Sequence, residues 1–364
     1  ERLKAKVKRN PSALVAYLVS RLPDEIRKLL EAASLIRKVS HSDLFERLVK
    51  SLKLPADNSA EKLAKELYTC GLMAWQSESA SGEQLLPGYF SVSEGILAAL
   101  RRHVRKDGER WEQEAHCKLA ECLQERLDDE CKAKDLTPDA PLKVDDEDFR
   151  SLTADVLINT LTDTIYHYME GDKNQHAWDL LNTKKWKDFL VALGYLDRLE
   201  SWLGDLSKKL EANDPKRAVE VIFSLADIGC RRAHPNMIIE QAARATQLIA
   251  IQGIKEQDVG QAEFYFAVAE QIKGNYDLAE DFLLEALTKA YVTGNQKIQN
   301  KVLMRSVRLS SLMGNQHQAL ARMGAFVKAF KDVDIDAWDM NVLLSLFAEV
   351  SLNMGFADRA LKLT

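Results

Sequence analysis

Apolar side chains recur every three to four positions along most of this chain, the spacing of amphipathic helices. The intervals close on a repeated piece of turn chemistry. In Gly274-Asn275-Tyr276-Asp277-Leu278-Ala279 a turn-forming Gly-Asn opens a helix whose apolar positions continue at helical spacing to Leu287. The same grammar returns at Gly314-Asn315-Gln316-His317-Gln318-Ala319 and at Gly355-Phe356-Ala357-Asp358-Arg359-Ala360, with an alanine five residues after the glycine each time. The glycines stand 40 and 41 residues apart, a repeat period. Each occurrence reads as half of a helical hairpin, and Ala242, 37 positions before Ala279, carries the period loosely one unit back. Small residues at Ala267, Ala279, Ala319, Ala348 and Ala360 predict antiparallel helices packed at the short end of the interaxial range.

Upstream the pattern changes. Leu14, Tyr17, Leu18 and Leu22 predict a short helix closed by Pro23, and Asp24-Glu25 open a second through Ile26, Leu29, Leu30, Ala33 and Leu35. Ser42 caps a third, with Leu44, Phe45, Leu48 and Leu52, and Ser59 a fourth, with Leu63, Leu67 and Tyr68, ended by Gly71. Leu72 to Gln76 and Leu85 to Val92 read as two extended runs around the turn chemistry of Ser77 to Gly82, and Ser93 starts a closing helix. Helices, a two-stranded wing and a closing helix make a winged-helix module. A helix from Trp111 to Leu127 follows, then Asp128 to Asp148, nine acids against three lysines with two prolines, which reads as a charged linker. From Phe149 onward every segment reads as helix. The expected architecture is mainly α: a winged-helix domain at 1–105, a connecting helix and acidic linker at 106–148, and helical repeats at 149–364, with more chain expected on either side.

Charge and chemistry narrow the function. The chain carries a net −5, so attraction for nucleic acid would have to be local. The outward positions of the presumptive recognition helix are Glu61, Lys62, Lys65 and Glu66, two acids and two bases, which disfavours DNA. The cluster Arg101-Arg102-His103-Val104-Arg105-Lys106 lies at a helix C-terminus, where cations complement the dipole. Five scattered cysteines lack any C-x-x-C spacing, which predicts a reducing, cytoplasmic setting. His116, Cys117 and Cys122 share a helix without converging on one face, so no metal is expected. No apolar run approaches the roughly 18 to 20 residues that a bilayer requires. No glycine is followed by lysine, no histidines are paired at i, i+4, and neither G-x-G-x-x-G nor G-x-S-x-G occurs. No enzyme and no cofactor are expected within this stretch.

The hairpin spacing resembles the tetratricopeptide repeat family, whose usual period of about 34 residues is shorter than the one here. A broader resemblance rests on the order Leu22-Pro23-Asp24-Glu25, Ala98-Ala99-Leu100-Arg101-Arg102, Tyr166-His167-Tyr168-Met169-Glu170-Gly171-Asp172, Ala177-Trp178-Asp179-Leu180-Leu181 and Lys185-Trp186. This resembles the region after the nucleotide-binding domain of STAND signal-transduction ATPases. The resemblance implies a non-catalytic sensor: a winged helix docked on an upstream nucleotide-binding domain, a superhelix that captures a protein or peptide, and a ligand-triggered oligomer. In that family a Met-His-Asp contacts ADP; the matching positions here read Val92-Ser93-Glu94, without the histidine. A transcription regulator with DNA on the winged helix, and a passive assembly scaffold, are the alternatives. Tyr265, Tyr276, Tyr291, Trp338 and Phe347 recur in the last units and are the candidate lining of a peptide groove.

Overall fold

The structure is a computed structural model. It describes residue 17 and residues 19–36, 40–54, 59–77, 88–94, 96–98, 100–101, 109–133, 153–183, 186–252, 260–329 and 337–356. The chain divides into two compact units, Glu1–Leu193 and Gly194–Thr364.

The first unit opens with α1 (Asp24–Ser34), β1 (Ser40–His41), α2 (Ser42–Ser51), α3 (Ala60–Thr69), β2 (Met73–Ser77) and β3 (Gly88–Val92). The short helix expected before Pro23 falls almost wholly outside the described residues. The wing has three strands rather than two, in the order β1-β3-β2, because Ser40 and His41 add a short antiparallel edge opposite Phe90 and Tyr89. On the other side β2 pairs antiparallel with β3, Trp75 facing Phe90. The alternation of β3 buries Phe90 and Val92, and Phe45 of α2 meets both Trp75 and Phe90 edge-on at 5.2 and 5.4 Å. Leu29, Leu30, Leu44, Leu48, Leu63, Leu67, Met73 and Leu100 complete this core.

Two caps differ in instructive ways. Ser59 caps α3 as expected, its hydroxyl accepting from the Lys62 N–H. At α2 the cap is His41, whose Nδ1 accepts from the Asp43 N–H, while Ser42 turns its hydroxyl to accept from the Gly88 N–H at 3.1 Å. The edge strand therefore displaces the serine from its expected role. Tyr68, expected on the apolar face of α3, is 50% exposed.

The helix expected to end at Leu127 runs on as α4 (Glu109–Ala133), past the start of the acidic stretch; residues 134–150 lie outside the described residues. Ala115, Leu119, Cys122 and Leu123 of α4 join the winged core. Ion pairs fasten α4 to α2: Arg47 to Asp129 at 2.7 Å and Arg126 to Asp43 at 3.4 Å. The unit is completed by α5 (Thr153–Glu170), α6 (Asn174–Asn182) and α7 (Trp186–Ala192), which the sequence pattern groups with the repeats.

The second unit is a stack of helices: α8 (Leu196–Asn213), α9 (Pro215–Arg231), α10 (Pro235–Gln252), α11 (Gln261–Lys273), α12 (Tyr276–Thr293), α13 (Gln296–Leu312), α14 (Gln316–Ala329) and α15 (Ala337–Asn353). Each helix packs on the one before it. The odd-numbered members α9, α11, α13 and α15 also touch one another in succession, more closely than α10, α12 and α14 do. The closer-set odd row is here named the inner layer and the even row the outer layer. The small residues within the described residues do what their spacing predicts: Ala242, Ala267, Ala279, Ala319 and Ala348 are all buried, and Ala360 lies outside the described residues. Ala267, Ala279, Ala286 and Ala290 share one core cluster, where bare methyl groups let helix axes come close.

The turns are built alike. Gly274, Gly294 and Gly314 take φ of 85, 69 and 76°. In each the asparagine after the glycine returns its N–H to a carbonyl five residues back: Asn275 to Glu270, Asn295 to Ala290 and Asn315 to Ser310. This is the Schellman closure, which satisfies orphan carbonyls at the helix end. Gly294-Asn295 halves the period read from the sequence, so one helix plus its turn takes 20 residues and the 40-residue repeat is a pair. Gly260 has a different duty. At φ 90° it starts α11, and a Cβ there would stand 2.7 Å from the Ala286 carbonyl oxygen.

Gly294→Ala, which has open space around it, is expected to lower stability by about 1 kcal/mol from φ alone. Gly260→Ala, which must also move backbone, is expected to cost more; chemical denaturation ranks the two. Glu270 ties the first of these turns, accepting from Lys273 Nζ at 2.9 Å and from Asn275 Nδ2 at 2.7 Å, and those bonds hold its carboxyl below its ordinary range. A lowered folded value means this stabilisation exists above the unfolded value and is lost as pH falls through the folded one. Thermal melts should therefore show Glu270→Gln destabilised at neutral pH, with the gap to the parent closing below the ordinary carboxylate range.

Candidate functional site

Of the five aromatic residues expected to line a groove, the four with described side chains lie in different surroundings. Tyr265 of α11 has no exposed surface, which corrects its reading as a contact. It stacks on Phe223 of α9 at 5.5 Å and donates its hydroxyl to Asp227 at 2.7 Å. Burial, and then the Asp227 carboxylate, raise its pKa well above the ordinary tyrosine value. The reason lies in the layering, because α11 is covered on both flanks by α9 and α13 as well as by its partners. Tyr276 is half-buried at the start of α12, against the cluster of Ala267 and Ala279. Phe347 of α15 is half-buried between two small clusters around Met323 and Phe326. Tyr291 is 59% exposed on the outer layer, and the side chain of Trp338 lies outside the described residues.

Charge distinguishes the layers better than aromatic content. Outer-layer arginines bridge from one even-numbered helix to the next. Arg244 of α10 donates Nε to Glu211 of α8 at 2.8 Å, and Arg322 of α14 pairs with Glu280 of α12 while also donating to the Ser306 carbonyl at 3.2 Å. Lys289 of α12 reaches Glu263 of α11 at 2.6 Å and Glu285 at 2.7 Å. These long side chains tie neighbouring helices together and neutralise one another in pairs.

In the first unit the motif residues serve packing. His116 of α4 and His167 of α5 are both buried and meet Nδ1 to Nδ1 at 2.7 Å, a geometry in which one ring donates and the other accepts. Cys117 donates to the Gly171 carbonyl at 3.2 Å, and Tyr168 donates its hydroxyl to Gln124 at 2.6 Å. The conspicuous Tyr166 to Asp172 stretch thus docks α5 on α4. Burial pushes the Cys122 thiol up to about 11, away from thiolate chemistry. Among the described residues no group of three or more His, Cys, Asp or Glu is placed to hold a metal ion, and no helix is long and apolar enough to cross a membrane.

The winged-helix face offers little to a duplex. Glu61, Lys62, Lys65 and Glu66 are exposed on α3, as expected, with their charges balanced. Arg101 is turned inward and donates Nε to the Ser34 carbonyl at 3.0 Å. Of the positions that match the nucleotide-contacting motif, Val92 is paired with Met73, and Ser93 donates its hydroxyl to the Gly71 carbonyl at 2.8 Å. Both close the wing. Tyr265→Phe is expected to cost about 1 kcal/mol, since it strips Asp227 of its donor, whereas Tyr291→Ala should stay within about 0.5 kcal/mol. Urea titration of the two variants checks the contrast.

No family model matches the chain. No curated protein matches it either. Among solved structures it is similar to a STAND protein with a tetratricopeptide repeat sensor from Pyrococcus horikoshii, at 14% identity and a TM-score of 0.40. The match covers 97% of this chain and 51% of that one, so this chain spans about half the length of that protein.

Proposed function

We propose that this chain is the sensor region of a STAND-type switch, in which the helical stack captures a protein or peptide and the winged module docks on a nucleotide-binding domain elsewhere in the molecule. The observation that carries this reading is the layering of α8 to α15, a close-set inner row beside an outer row in which Arg244, Lys289 and Arg322 are paired with carboxylates. Stacked hairpins present such an inner row as an extended binding surface. The order of modules supports the same reading: a wing closed by Ser93, then helices docked through the His116 and His167 pair, then the stack. Any nucleotide hydrolysis would belong to that other domain, and the chain's own task is recognition. The balanced face of α3 and the inward Arg101 set DNA aside as the ligand of the wing.

A photo-crosslinking residue placed at Leu312, exposed on α13, or at Leu284, exposed on the outer α12, reads which layer meets a partner. In extract of the cells that make the protein, a discrete adduct is expected from position 312 and none from 284. Capture only from 284 would overturn the assignment of the inner layer. Duplex DNA titrated at low and high salt is expected to show no salt-dependent binding; a steep slope would restore the transcription-regulator reading.

A further inference from the structure

Helix α13 is the charged exception in the stack. Gln296–Leu312 holds four cations, Lys297, Lys301, Arg305 and Arg308, and no acid, in a chain of net charge −5. Steps of four, four and three residues put them on one stripe. The stripe leans over the inner layer: Lys301 Nζ lies 5.7 Å from the centroid of the Phe264 ring on α11.

Like charges at this spacing destabilise a helix unless something answers them. Elsewhere in the unit Arg244, Arg322, Lys289 and Lys273 each have a carboxylate. Among the described residues no carboxylate pairs with any of the four on α13. Arg305 is further exposed to cost: its Nε is closed off from solvent without a hydrogen-bond acceptor, and burial lowers its guanidinium to about 10. A buried donor without an acceptor is costly to a fold. Its neighbour Arg308 adds repulsion. The fold holds this cation half-dry and unanswered; with Nε sealed, its two terminal nitrogens are the pair on which a planar fork takes an incoming carboxylate.

We propose that the stripe of Lys297, Lys301, Arg305 and Arg308 receives the carboxylates of an acidic peptide segment of a partner protein. The segment runs along α13, with Arg305 as the central anchor and the Phe264 ring beside it for an apolar side chain. From Lys297 to Arg308 the helix rises about 16 Å, the span of about five extended residues. Four cations on a chain of net negative charge suit a short acidic peptide better than a phosphate polymer, whose affinity grows with many contacts. The proposal deepens the sensor reading and rests on it.

The test titrates the whole 364-residue chain with a fluorescein-labelled dodecapeptide of Glu-Glu-Leu repeats, its Gln-Gln-Leu counterpart and a single-stranded oligonucleotide. The acidic peptide is expected to bind in a salt-sensitive manner. Its affinity should fall at least about tenfold for the amide counterpart, for Arg305→Gln, and for the paired reversal Lys297→Glu with Arg308→Glu. Both reversed positions are exposed, so circular dichroism and melting should leave that variant folded even if Arg305→Gln is not. Equal binding of the Gln-Gln-Leu peptide, an unaffected reversal variant, tighter binding of the oligonucleotide, or no binding of the acidic peptide would each overturn the proposal. A crosslinked partner at Leu312 that the reversal does not displace would leave the sensor reading standing while removing the acidic ligand.

Discussion

The run from α11 to α14 depends on one constraint: each helix must stop at a single left-handed residue so that the next can return against it. Gly274, Gly294 and Gly314 meet it with the same closure, in which the following asparagine is tied to a carbonyl five residues back. Fixed turns fix helix length, and fixed length keeps Ala267, Ala279, Ala286 and Ala290 opposite one another. If a turn grew by a residue, these methyl groups would slide out of facing positions and larger side chains would hold the axes apart. The inner row is close-set because the turns are short.

Much of this was legible because helices announce themselves through period and punctuation. The alanine five residues after Gly274 and Gly314 was a reliable guide to buried, close-approach positions. The intermediate turn at Gly294 escaped because the residue five on is Gln299, which breaks the rule in sequence while obeying it in space. Its amide is buried and donates to the Ala290 carbonyl at 3.0 Å, so a polar side chain fills a place that a methyl group fills elsewhere. The two-residue strand β1 was too short to carry a period, and its presence shifted the cap of α2 from Ser42 to His41.

Sites were far less legible than elements, since contact between distant residues leaves no local trace. His116 and His167 are 51 positions apart and each looked isolated. Tyr265 and Tyr291 look alike in sequence, yet one has no exposed surface and the other faces solvent. Aromatic residues mark both cores and contacts, so they were a poor guide. The unpaired charge on α13, which carries the proposed acidic-peptide site, became visible only once Arg244, Lys289 and Arg322 were seen to have carboxylate partners.

The sameness of the turns has a consequence for how such a stack can change. Because the closures at Gly274, Gly294 and Gly314 are the same, these three turns do not record whether the helix they end belongs to the inner or the outer row. Gain or loss of a single 20-residue helix would therefore fold locally and yet exchange the two rows from that point onward, turning the face of α13 to the outside. Parity, an even number of helices added or removed, is what preserves the surface, and it is conserved by geometry rather than by any residue.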